Sequence, residues 1–153
     1  MMRKILFRGK CYDDGEWIFG SLLDDDIIVT KGAVEVDDDY INIVDEWSSV
    51  LPQTVGQYTG LKDSTGKRIF DGDILEFEDL GEEGYEYKEG FDFINTASVV
   101  FFKGRFELEN FIGNNSGVLD AMNNDHEEFI GVFTISTIIG NIHDNPELLE
   151  VQE

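Results

Sequence analysis

The sequence predicts a mainly β protein of antiparallel strands, on three observations. Apolar residues recur in short runs, such as Ile5 and Phe7 alternating with Lys4 and Arg8, and Ala97 to Phe102. Runs of this length, rich in β-branched and aromatic residues, are strand signals. Asp- and Gly-rich clusters punctuate them, as at Asp13-Asp14-Gly15 and Asp71-Gly72-Asp73, because glycine permits turn conformations and aspartate bonds nearby backbone. Helix-start signals are confined to short stretches near 117–123 and 146–150.

Taken in order, residues 3 to 29 read as strands joined by turns. A hairpin closes at Asp13-Asp14-Gly15, and Trp17, Ile18 and Phe19 resume the apolar pattern. Ile27-Ile28-Val29 follows three aspartates, and Tyr40, Ile41, Ile43 and Val44 follow three more. Val55 to Tyr58 is a short strand. Asp71-Gly72-Asp73 then leads into Ile74-Leu75-Glu76-Phe77 in the way small SH3-like barrels enter a long strand, so such a barrel is expected after residue 53.

Residues 76 to 92 hold eight acids, three glycines and one base, Lys88. Like charges at this density resist packing, so an acidic loop is expected over 78–92, with Tyr85, Tyr87 and Phe91 as a candidate partner-binding tip. Lys103-Gly104 predicts a tight hairpin turn between Ala97–Phe102 and Arg105–Phe111. Ser116 is placed to cap a helical turn or two, which Asn123-Asn124 keep short. A last strand is expected near 136–142. Asn145-Pro146-Glu147 then offers a cap, a first-turn proline and an acid for a brief C-terminal helix. Trp47 to Pro52 is the best boundary between a β portion, 1–50, and a barrel-like portion, 51–153, the two expected to form one unit.

Composition excludes several function classes. The formal charge of −22, from 33 acids against 11 bases, repels phosphate backbones and anionic lipid alike, so direct nucleic-acid or membrane binding is not expected. The exception would be local, since Arg3, Lys4, Arg8 and Lys10 all precede the first acid, Asp13. No apolar run approaches the roughly 18 residues of a membrane span. A single cysteine, Cys11, rules out an internal disulfide, and no basic-then-apolar leader opens the chain, so a cytoplasmic location is expected.

No metal or cofactor is expected. The sequence has no HExxH, no paired-cysteine spacing and no calcium loop. His126 and His143 sit among acids, as solvated loop residues do. Cys11 has only Lys10 nearby to activate it. Gly66-Lys67 lacks the upstream glycine and the following Ser or Thr of a phosphate loop. The aspartates at 24–26 and 37–39 are consecutive residues in turns, where neighbouring side chains point apart.

Two segments carry a family resemblance: LPQTVGQYTGLKDSTGKRIFDGDIL at 51–75 and IIGNIHDNPELLE at 138–150, with ILFRGK at 5–10. In order and separation they resemble the signatures of the YopX family of phage-encoded proteins. The resemblance implies a largely β phage or prophage product without assigned catalysis, so the expected cytoplasm is that of the host cell. The signature positions are Arg8, Gln57, Gly60, Asp63, Gly66, Gly72, Asp73, Gly140, Asn141, Asn145 and Pro146. Glycines there suit turns or close approaches, and Asp63 and Asp73 suit backbone hydrogen bonding. Arg8 and Gln57 either bond inside the fold or face a ligand.

The expected function is that of a non-enzymatic accessory protein binding an unidentified host or phage protein. Two alternatives remain: an acidic mimic of DNA that occupies a DNA-binding protein, and a carboxylate-dependent metal hydrolase or nuclease. Exposed strand edges leave a homo-oligomer open.

Overall fold

The Asp13-Asp14-Gly15 cluster turns the chain as its composition demands: Gly15 sits at φ 73° and its N–H donates to Cys11 O at 3.0 Å. In the computed structural model, which describes residues 5–36, 41–80, 92–113 and 116–150, this turn joins β1 (Phe7–Lys10) to β2 (Trp17–Asp24). The chain divides into two units, Met1–Tyr58 and Thr59–Glu153.

In the first unit, β3 (Ile27–Val36) and β4 (Ile41–Ser49) continue an antiparallel meander from β2. The start of β5 (Gly56–Lys62) pairs with the other side of β1, through Phe7 opposite Gln57 and Arg8 opposite Gly56. One glycine sets the β2–β3 spacing, since a Cβ on Gly20 would fall 2.0 Å from Val29 O. Ile28 and Val50 are buried here. Thr54, in a short 3-10 turn, accepts from Lys10 N at 2.8 Å and donates to Leu51 O at 2.6 Å, which ties the segment after β4 to β1.

In the second unit, β5 gives way to β6 (Arg68–Phe70), β7 (Asp73–Leu80), β8 (Asp92–Phe102) and β9 (Arg105–Glu109). After these come α1 (Gly117–Asn124), α2 (His126–Ile135) and β10 (Thr137–Asn141). The four-stranded antiparallel sheet runs β10-β7-β8-β9. One of its faces is apolar through Leu75, Phe77, Ala97, Val99 and Leu108, and Val118, Ala121, Phe129, Val132 and Phe133 of the two helices complete the core. Phe129 and Phe133, one helical turn apart, meet edge-to-face at 5.4 Å. Full burial of a side chain of this kind contributes roughly 1.5–3 kcal/mol.

No closed barrel forms among the described residues, so the SH3-like barrel expected after residue 53 is corrected to an open sheet. The cause is topological. β9 and β10 are opposite edges of the sheet, and helices cover the apolar face that a barrel would close upon.

The elements also depart from the sequence reading locally. The loop expected over 78–92 is corrected at both ends, where β7 continues to Leu80 and β8 starts at Asp92, and residues 81–91 lie outside the described residues. Phe77 and Asp79 turn inward while Glu76 and Glu78 face solvent, so a strand places these acids without burying like charges together. α1 starts where expected, with Ser116 Oγ accepting from Leu119 N at 3.0 Å. A second helix follows that the sequence reading lacks. Asp125 ends α1 and caps α2, accepting from Glu128 N at 3.2 Å, so His126 lies in a first helical turn and not in a loop. The C-terminal turn at Pro146–Leu149 is 3-10, and Asn145 makes no side-chain cap to it.

Candidate functional site

The tip residues Tyr85, Tyr87 and Phe91 lie outside the described residues. In the first unit, Arg8 is buried with its guanidinium 4.6 Å from the Trp17 ring centroid. Alternation along β1 puts Lys10 on the same face, 5.8 Å from that ring. A cation against an aromatic face is stabilising, so Arg8 has a role inside the fold. Gln57 is half-buried opposite Phe7.

The signature residues of the second unit converge on backbone. Asp63, 6% exposed, accepts from Thr65 N, Thr65 Oγ1 and Lys67 N at 2.7–3.0 Å through one oxygen, and from Ile138 N at 3.0 Å through the other. It therefore fixes its own turn and also anchors β10, 75 residues away. Burial pushes its carboxyl upward, but the hydrogen bonds from Ile138, the Thr65 side chain, Lys67 and the Thr65 amide outweigh that and hold it below the ordinary aspartate value. Gly60, Gly66 and Gly72 all have positive φ, between 88° and 94°. Beside Gly72, Asp73 accepts from Phe70 N at 2.7 Å.

The C-terminal signature is a second knot. Asn141 accepts from His143 N and Asp144 N and donates to Asp144 Oδ2. Asn145 Oδ1 accepts from Asn141 N at 3.3 Å, and a Cβ on Gly140 would come within 2.6 Å of that oxygen. Pro146 opens the 3-10 turn, where its missing N–H is harmless.

A feature that the motifs did not mark lies where β7 outruns β10. On one side β7 pairs with β8 as far as Leu80, whereas on the other it pairs with β10 only from Asp73 to Glu76. No described strand pairs with Phe77–Leu80 on that second side. Along this stretch runs a groove of two adjoining pockets, about 220 and 380 Å³, which share Glu78 and Ile135. Ile94 and Ile135, 60% and 63% exposed, stand at its rim. Its inner wall includes Val118, Gly131 and Val132, its acids are Glu76, Glu78, Asp79 and Glu128, and no base among the described residues lines it.

The floor of the groove is tied together by hydrogen bonds. Asp79, 1% exposed, accepts from Ser116 Oγ, from Val118 N at 3.1 Å and from Asn95 Nδ2 at 2.9 Å. Asn95 in turn bonds both the N–H and the C=O of Gly113. Asp79 thus holds the start of α1, and Glu76, Glu78 and Glu128 carry the groove's exposed charge. Sequence reasoning missed this site because Glu78 falls within the loop it expects and α2 is absent from it. The signal present was Asp125 followed three residues later by Glu128, a capping pattern before apolar residues at helical spacing.

Among the described residues no three His, Cys, Asp or Glu side chains group as metal ligands. No described helix is long and apolar enough to cross a membrane.

Comparison with known proteins adds a family and a fold. The chain is similar to a solved structure, protein EF1440 from Enterococcus faecalis, at 24% identity and a TM-score of 0.60, over 97% of this chain and 100% of that one. A likeness at that identity shows the fold. No curated protein matches. The family model described as YopX protein matches residues 6–150, nearly the whole chain, a span that takes in the signature segments at 51–75 and 138–150. The chain belongs to the YopX family.

Proposed function

We propose that this protein is a non-enzymatic accessory protein of phage or prophage origin that binds a protein partner in the host cytoplasm. The observation that carries the reading is the groove beside β7, with Ile94 and Ile135 exposed at its rim and a fixed floor at Asp79. Large apolar side chains grouped around a concavity mark interaction sites, whereas the same side chains scattered singly do not. The signature residues support it from the other direction, since Asp63, Asp73 and Asn141 spend their polar groups on backbone bonds within the chain.

The test is affinity capture from host and phage-infected lysates with the full chain, alongside an Ile94→Ser, Ile135→Ser double variant. Both residues are exposed, so the variant keeps its fold, checked by circular dichroism. The reading expects a defined partner that the wild type retains and the variant loses. Recovery of no partner, or of the same partners by both, contradicts it.

A further inference from the structure

We infer that the groove takes an extended segment of another protein as an added β-strand along Phe77–Leu80, and that the segment alternates apolar and basic residues. The inference rests on the protein-binding reading and gives its mode and its partner chemistry.

Three observations carry it. The first is the side of β7 that no described strand pairs beyond Glu76. β10 stops opposite Glu76, so an incoming strand would continue the line of β10 and meet backbone groups that no described strand occupies. Four residues at about 3.3 Å each give room for a short added strand, and main-chain bonding to an open edge is a recurrent mode of peptide capture.

The second is charge. Side chains of an added strand alternate between the two faces of the sheet. One set would meet Glu76 and Glu78 beside Ile94, where the charged groups among the described residues are carboxylates, and the other set would enter the apolar wall at Val118, Gly131 and Val132. Basic residues suit the first set and apolar residues the second. A second copy of this chain is a poor occupant, because each copy carries a formal −22.

The third is Gly131. It lies inside α2, where glycine is the least favourable residue after proline, yet a Cβ built on it meets nothing within 4 Å. No neighbour in the described fold requires glycine there. It lines the groove, where a missing side chain leaves room for another backbone to approach.

The experiment presents the full chain with a display library of random ten-residue peptides. A selected sequence is then synthesised in three forms: unmodified, with alternate backbone N-methylation, and with its basic residues changed to glutamate. Affinities are measured against the wild type, Glu78→Lys and Gly131→Ala. Selection of alternating apolar and basic peptides is expected. N-methylation on the bonding edge and Glu78→Lys should each weaken binding about ten-fold or more, the scale at which a central contact is lost. Gly131→Ala should weaken binding while raising the melting temperature, an opposition that a purely structural glycine would not produce. Peptides whose affinity ignores N-methylation, or survives both substitutions, overturn strand addition. If capture still depends on Ile94 and Ile135 in that case, protein binding stands and only the mode fails. A symmetric dimer that masks the groove, seen by light scattering, also overturns the inference.

Discussion

Replacing Asp63 by asparagine should cost the second unit stability in a way that depends on pH. The new side chain keeps one carbonyl oxygen for Thr65 and Lys67, but its amide turns a donor toward the Ile138 N–H, which in the native protein bonds Asp63 Oδ2 at 3.0 Å. One charge-assisted bond is lost and one donor is left unmatched, at a cost of about 1–3 kcal/mol at neutral pH. Because the folded carboxyl titrates below its unfolded value, its contribution is fully present above the unfolded value, about 3.9. It is lost as the pH falls through the folded value. The gap between wild type and variant should therefore be constant at neutral pH and shrink below about pH 4. Both tryptophans, Trp17 and Trp47, lie in the first unit, so fluorescence would follow the wrong part. Urea titration by far-ultraviolet circular dichroism, with amide exchange at Ile138 assigning the second unit, makes the measurement. Equal midpoints at pH 7, or a gap that persists unchanged at pH 3, would refute the role given to Asp63.

Other substitutions probe the remaining supports. Gly131→Ala should stabilise the protein by about 1 kcal/mol, since helix propensity favours alanine and no neighbour opposes the methyl; a lower melting temperature would show that glycine is needed by the fold itself. Asp79→Ala leaves Val118 N, Ser116 and Asn95 without their acceptor and should cost about 3 kcal/mol or more by urea titration. Lys103 sits at φ 50° before Gly104 at φ 84°, the pattern of a type I′ hairpin turn, so Lys103→Asn should stabilise by a few tenths to about 1 kcal/mol. Gly140→Ala should cost about 1–3 kcal/mol through contact with Asn145, and an Asn145→Gly background should reduce that cost. Additive losses would place the strain elsewhere.

How far the sequence reveals the fold differs from element to element. The β8–β9 hairpin is legible because its information is local: two apolar runs and a Lys-Gly turn that the structure places at positive φ. The cap of α1 at Ser116 is legible for the same reason. α2 is not, because its β-branched end and Gly131 weaken the helical signal, and only packing of Phe129, Val132 and Phe133 against the sheet decides it. The open sheet could not be read from the Asp71-Gly72-Asp73 turn, since that turn serves a barrel and an open meander equally well. Closure depends on which distant edges meet. Asp63 shows both cases in one side chain: its bonds to Thr65 and Lys67 follow from Asp-Ser-Thr-Gly, but its bond to Ile138 is a property of topology. The groove belongs wholly to the second kind, since β7, α1 and α2 form it only once the sheet is assembled.

Amide hydrogen exchange across Phe77–Leu80, with and without a peptide selected by the full chain, tests the central claim most directly. Strand addition predicts that bound peptide slows exchange at alternate amides of this stretch and leaves the β8-facing amides as they were. Unchanged exchange at Phe77–Leu80 while the peptide is bound would contradict it.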